Sequence, residues 1–174
     1  LIIYPKEISD IEVLVPEERK KVIKEELEEM REQYCALNGL FFDKSYPKGA
    51  LIEKYTAFIN LNPKYYAAYR DRAILYTHIG KYREAVADNQ LLITHNERVW
   101  SDAIINKAEA LFFLKDYDEA LKIANHYFAI CEKPTAECYR IRAEIFRKLK
   151  MSDEYKADMR ESKRLRKEEK NRIW

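Results

Sequence analysis

The chain has 174 residues, 36% of them charged (32 Lys+Arg against 30 Asp+Glu), 47% hydrophobic, and only 3 glycines and 5 prolines. With glycines at 39, 49 and 80 alone, neither G-x-G-x-x-G nor G-x-x-x-x-G-K-[ST] can be written, which excludes Rossmann and P-loop phosphate cradles, and many-stranded β folds lack their turn residues. A net charge of +2 predicts no strong electrostatic partner, no apolar run nears the ~18 residues of a membrane span, and three scattered cysteines (35, 131, 138) favour a reducing compartment, so the expectation is a cytoplasmic all-α protein without disulfides.

In chain order, residues 1–15 read as an irregular lead, with no basic n-region, apolar h-region or cleavage site of a signal peptide. The first residue is Leu1, so the chain is expected to be processed or cut from a longer one. Pro16 suits the first turn of a helix, and Glu17 and Glu18 favour its positive end. Apolar residues then recur at Ile23, Leu27, Met30, Tyr34, Leu37 and Phe41, spaced 4, 3, 4, 3, 4, which predicts one helix from about 17 to near Lys44. Further helices are predicted at 47–60, 64–78, 82–95, 98–113, 117–131, 134–148 and 152–171. Pro47, Pro63, Gly80, Asn96 and Pro134 punctuate them. No interdomain linker is legible, so residues 16–174 are expected to form a single helical domain.

The predicted helices repeat. Tyr69-x3-Ala73-x2-Tyr76-x3-Gly80-x-Tyr82-x2-Ala85 returns 35 residues later as Ile104-x3-Ala108-x2-Leu111-x5-Tyr117-x2-Ala120, and again as Tyr139-x3-Ala143-x2-Phe146. A backward step of 34 gives Cys35-x3-Gly39-x2-Phe42. One column is therefore small (Gly39, Ala73, Ala108, Ala143) and another, three residues on, is bulky (Phe42, Tyr76, Leu111, Phe146). Small residues let two helices cross closely, and aromatic residues fill the groove beside the crossing. That packing accounts for most of the 13 tyrosines without invoking a cofactor.

This pattern resembles the tetratricopeptide repeat (TPR) family, whose unit is a helix–turn–helix of about 34 residues. The resemblance covers residues 32–165, as repeats near 32–65, 66–100, 101–135 and 136–165. The middle two repeats carry the columns best. Cys35 and Leu51 depart from them in the first, and Tyr155 in the last. It implies a TPR-type α-solenoid of antiparallel helix pairs, with an N-terminal helical extension and a C-terminal basic helix. Gly80 would end the first helix of its repeat in a left-handed conformation, whereas Lys115 and Lys150 stand at the equivalent places and are expected to close their turns differently.

In this family the first helix of each pair lines a concave groove. The residues so placed by the resemblance include Arg70, Asp71, Ile74, Asp102, Asn106, Glu109, Phe113, Glu137, Arg140 and Glu144. The implied function is a non-catalytic interaction module or adaptor. It would hold a peptide segment or helix of another protein, one bearing some Lys or Arg against the acidic residues. TPR domains that grip the carboxyl tails of Hsp70 and Hsp90 use a clamp of Lys, Asn, Asn, Lys and Arg. The matching positions are Arg70, Ile74, Asn106, Glu137 and Ile141, and one repeat earlier Ala36, Leu40, Asp71, Asp102 and Asn106. Glu137 reverses a required cation and Ile141 removes the forked donor, so binding of those tails is not expected.

Catalysis has no legible site. His78, His95 and His126 lie apart, without a recurring nucleophile beside them. His126-x4-Cys131-x6-Cys138 offers zinc-ligand types at an unfamiliar spacing, and the cysteines read instead as buried or half-buried residues where one helix ends and the next begins. No metal or cofactor is expected. Two alternatives to the adaptor are weighed. A nucleic-acid-associated protein would use the basic residues from Arg160 to Arg172, although Glu161, Glu168 and Glu169 interrupt them. An accessory domain of a larger enzyme would fit a chain cut from its parent. The stripe on residues 17–34 is expected to cap the first repeat.

Overall fold

The computed structural model describes residues 17–172, with side chains from 19 to 171. The irregular lead expected at 1–15 lies outside them, as do Ile173 and Trp174. The chain divides into two compact units, residues 1–68 and 69–174. The described residues contain eight helices and no strand: α1 Glu17–Phe42, α2 Lys48–Leu61, α3 Tyr66–His78, α4 Tyr82–Asn96, α5 Ser101–Phe113, α6 Tyr117–Ile130, α7 Ala136–Lys148 and α8 Ser152–Arg172. The all-α, paired-helix architecture matches the expectation. Helix α3 begins in the first unit and continues into the second.

Helix starts are where the periodicity misleads, by two or three residues. Helix α5 begins at Ser101 rather than 98 because Asn96 first makes its own turn: its Oδ1 accepts from the Val99 N–H (3.2 Å), and its carbonyl accepts from the Trp100 N–H (3.0 Å). Helix α7 begins after Thr135, whose Oγ1 accepts from the Cys138 N–H (3.4 Å), so Pro134 stays outside. Asp116 caps α6 in the same way, through the Glu119 N–H.

The three turns that join the helices of a pair in the second unit are one motif used three times. Gly80 (φ 78°), Lys115 (φ 66°) and Lys150 (φ 62°) all adopt the left-handed conformation. In each, the N–H of the next residue reaches back five residues: Lys81 to Tyr76 O (2.9 Å), Asp116 to Leu111 O (3.1 Å) and Met151 to Phe146 O (3.0 Å). The left-handed residue itself donates to Thr77 O, Phe112 O or Arg147 O. This is the Schellman closure, which satisfies the last carbonyls of a helix. The expectation that Lys115 and Lys150 close differently is therefore overturned. The hydrogen bonds at the helix end impose the geometry, and the lysines bear its steric cost.

The first unit holds a second correction. Gly39 is exposed, and a Cβ built on it would meet nothing within 4 Å. It is not the close-contact residue. Cys35 is also exposed, whereas Tyr34 and Leu37 are buried. The first helix is thus in register one residue earlier, with Tyr34, Asn38 and Phe41 aligned with Tyr69, Ala73 and Tyr76, and the spacing is 35 throughout. Asn38 takes the small column's place and accepts from the hydroxyl of fully buried Tyr55 (3.2 Å). Helix α2 keeps the 34-residue register: Leu51, like Ala85 and Ala120, is buried. The extra residue lies in the connection, 43–47, against three residues in each later turn within a helix pair. There Asp43 Oδ1 accepts from the Ser45 N–H (2.8 Å) and hydroxyl (2.6 Å), which holds the Asp43 carboxyl below its ordinary pKa.

Elsewhere the columns stand. Ala73, Ala85, Ala108, Ala120 and Ala143 are all buried, and Ile104, Leu92 and Ile145 fill the space their small side chains leave. Each fully buried Leu or Ile contributes about 1.5–3 kcal/mol. Two forked ion pairs join the helices of a pair: Arg72 to Asp88 (2.8 Å, 2.8 Å) and Arg142 to Asp158 (2.7 Å, 2.9 Å). Both lie 16 residues apart in sequence. Arg142 also sits 3.5 Å from the ring centroid of Phe128. In α1 the stripe is half-buried at Ile23, Leu27 and Met30 and becomes buried at Tyr34 and Leu37.

Candidate functional site

Helices α3, α5 and α7 are the first members of three successive pairs. One residue or more from each lines an open pocket of about 320 Å³ in the second unit: Ile74, Thr77 and His78 from α3, Asn106, Glu109 and Phe113 from α5, and Glu137 from α7. Five of the ten residues singled out in the sequence therefore converge. Ile74 and Phe113 supply apolar surface. Phe113 is 44% exposed and stacks flat on Tyr82 (4.8 Å between centroids), which fixes its ring at little entropic cost to a ligand. Asn106 brings an amide with both donor and acceptor capacity.

Arg140 organises the pocket's charge. Its guanidinium bonds Glu137 through Nε (2.8 Å) and Glu109 through the same Nη2 atom that also reaches Glu137 (3.2 Å to Glu109). Arg166 of α8 adds a bond to the other Glu137 oxygen (3.2 Å). The two carboxyls respond in opposite senses. Burial pushes Glu109 above its ordinary pKa of 4.5, against the pull of Arg140. The Arg140 hydrogen bond holds Glu137 below it. Glu109 is thus a half-buried acid with less than a full share of a cation, suited to a second positive group.

The other singled-out residues stand apart from the pocket lining. Asp71 is only 3% exposed, and Arg70 grips it (3.0 Å and 2.9 Å), so this pair braces α3 rather than presenting a free carboxylate. Asp102 is exposed in the first turn of α5. Glu144 bonds Arg147 one turn on (2.9 Å and 2.6 Å). Thr77 and His78 lie at groove positions of the repeat pattern, and the pocket includes them. Neither the forked Arg–Asp pairs nor the bridging role of Arg140 was read from the sequence. The 16-residue spacing, present in two repeats, was the available signal for the former.

The other groups weighed in the sequence are now placed. The His126 ring bonds Glu97, not a cysteine. Cys131 is half-buried at the end of α6 and Cys138 buried in the first turn of α7, as expected for them. Both thiols donate to the Tyr127 hydroxyl at 3.2 Å, and burial together with these bonds pushes that hydroxyl's pKa well up. Among the described residues no group of three or more His, Cys, Asp or Glu is placed to hold a metal ion. On α8, Arg164 bonds Glu161 and Glu168, and Ser162 anchors the helix through Ala136 O (2.7 Å). No helix among the described residues is long and apolar enough to cross a membrane.

No family model matches the chain. Over 85 residues it is 31% identical to Hsp70-Hsp90 organizing protein 3 of Arabidopsis thaliana, a stretch that is 49% of this chain and 15% of that relative. The chain thus spans a small part of that protein's length. The fold superposes on the crystal structure of MamA with a TM-score of 0.66 at 19% identity, covering 89% of this chain and 87% of that one. The fold is that of a TPR-type α-solenoid. In TPR terms, α3, α5 and α7 are the A helices and α4, α6 and α8 the B helices, so the pocket lies on the A-helix face of the TPR units. The forked Arg–Asp pairs tie A to B in the second and fourth TPR units. The third has Lys107 and Ile123 at those places, and Lys107 bonds Gln90 instead (2.7 Å).

Proposed function

We propose that this chain is a TPR interaction module, non-catalytic, that holds a segment of a partner protein in the pocket of the second unit. The reading rests on one observation above all: A helices of three successive repeats bring Ile74, Asn106, Glu109, Phe113 and Glu137 to the same open pocket. The chemistry suits an extended or helical segment that buries an apolar side chain against Ile74 and Phe113 and sets a Lys or Arg near Glu109. The amide of Asn106 would bond the partner's backbone. The acidic carboxyl tails of Hsp70 and Hsp90 are poor candidates. Glu137 stands where that clamp carries a cation, and Ile141 is buried.

A labelled peptide library, varied in basic and apolar content and read by fluorescence anisotropy, tests this. Peptides pairing Lys or Arg with an apolar residue are expected to bind. Asn106→Ala and Phe113→Ala should each weaken them about tenfold, as expected for loss of one good polar or aromatic contact. Lys163→Glu with Lys167→Glu on α8 should leave the affinity unchanged. Binding indifferent to the pocket substitutions, or tracking the α8 lysines, overturns the assignment. Arg70 is a poor probe, because its loss also removes a brace from the buried Asp71 carboxylate.

A further inference from the structure

Cys131 and Cys138 are held together by the fold. Their sulfurs lie 3.2 Å from the same atom, the Tyr127 hydroxyl oxygen, so twice that distance bounds their separation. Cys131 caps α6 with an extended backbone (φ −88°, ψ 114°), its N–H making the helix's closing bond to Tyr127 O (2.9 Å). It is half-buried and reachable by a small reagent, whereas Cys138 is 6% exposed and faces inward. The connection between them carries no helix until Ala136, so the Cys131 side can move while Cys138 stays on α7. Cys35 belongs to the other unit.

We propose that Cys131 and Cys138 are a thiol–disulfide modification site: a small-molecule disulfide such as oxidised glutathione converts them to an intramolecular bond, with Cys131 the attacking and Cys138 the resolving residue. The Cys131 thiolate attacks one sulfur of the oxidant. A mixed disulfide forms and one small thiolate leaves. The deprotonated Cys138 then attacks the Cys131 sulfur, the mixed disulfide breaks, and the second small thiolate leaves. Two protein thiols are oxidised, the oxidant is reduced to two thiols, and those take up the two protons lost. Exchange of this kind runs through the more accessible thiolate. The final bond needs the sulfurs about 2.05 Å apart, so the Tyr127 hydroxyl withdraws from between them. In a reducing compartment such a bond is transient and reports oxidant rather than building the fold. The proposal stands independently of the pocket's ligand.

The test uses the full chain carrying Cys35→Ser, treated with oxidised glutathione under native conditions, quenched with N-ethylmaleimide and weighed intact. The expected product is monomeric and free of both maleimide and glutathione, lighter than the reduced protein by two hydrogens. Its circular dichroism should be unchanged, and digestion should join the peptides containing Cys131 and Cys138. With Cys138→Ser added, a glutathione adduct on Cys131 should accumulate. Cys138→Ala serves the same purpose if the serine disturbs packing. Unreacted thiols, a stable adduct despite an intact Cys138, or bonds only between molecules would each overturn the proposal.

Discussion

Replacing Lys115 or Lys150 with glycine is expected to stabilise the second unit. Both residues hold φ near +60°, where a side chain's Cβ crowds the following carbonyl at a cost of about 1–2 kcal/mol. Glycine removes that strain but adds freedom to the unfolded chain, which offsets about 0.4–1 kcal/mol. The net gain is about 0.5–1 kcal/mol for each substitution. The two turns share no hydrogen bond, so the gains should add to about 1–2 kcal/mol. Gly80 supplies the opposite arm. A Cβ there meets no atom within 4 Å, so Gly80→Ala adds no clash and, by the same balance, should cost about 0.5–1 kcal/mol. The assay is urea unfolding followed by circular dichroism, checked by thermal melts. A 1 kcal/mol change moves the Tm of a chain this size by about 2–4 °C. If both lysine-to-glycine variants are destabilised while Gly80→Ala is neutral, the three turns do not share the left-handed closure and the reasoning fails.

Gly39→Ala should stabilise the chain by about 0.5–1 kcal/mol, because this glycine lies within α1 with open space around it; a loss above 1 kcal/mol in urea unfolding would restore it to the close-contact column. Asp158→Asn should cost about 2–3 kcal/mol by leaving the Arg142 guanidinium, 18% exposed, without its forked partner, and a double-mutant cycle with Arg142→Met should recover part of that loss. Glu137 and Glu109 should show opposite pH dependence. The Glu137 carboxyl is depressed, so its stabilisation is full above pH 4.5 and fades as pH falls through its folded value. Glu137→Gln should therefore destabilise at pH 7 and cost progressively less in acid. The Glu109 carboxyl is raised, so stability is lost as pH rises from 4.5 through its folded value, and Glu109→Gln should remove that loss at pH 7; unfolding curves for both variants from pH 3 to 7 would expose equal signs, which the Arg140 geometry does not permit.

Much of the fold was legible because helical periodicity and a small-residue column leave a dense signal. Ala73, Ala108 and Ala143 repeat every 35 residues and are buried where the pattern places them. The failures have local causes. Gly39 imitated a small column residue at a spacing of 34, and only burial distinguishes it from Asn38, since a one-residue insertion in the 43–47 connection moves α1 without moving α2. The late start of α5 follows from an Asn96 side chain that competes with the helix backbone. The pocket was half legible. Repeat position alone brought Ile74, Asn106, Glu109, Phe113 and Glu137 together. It could not tell that Asp71, at an equally favourable position, turns inward to Arg70.

The sequence by itself determined the helices, their pairing and the face on which the pocket residues gather, because these depend on contacts between residues three, four or 35 apart that recur along the chain. The tertiary structure decided which charges remain free. An arginine's reach spans several positions, and its choice among carboxylates depends on burial and angle rather than spacing. Arg140 bridges Glu109 and Glu137, Arg70 takes Asp71, and Arg147 takes Glu144. The structure also decided that two lysines would share a glycine's conformation, because three backbone hydrogen-bond closures outweigh the strain at a single Cβ.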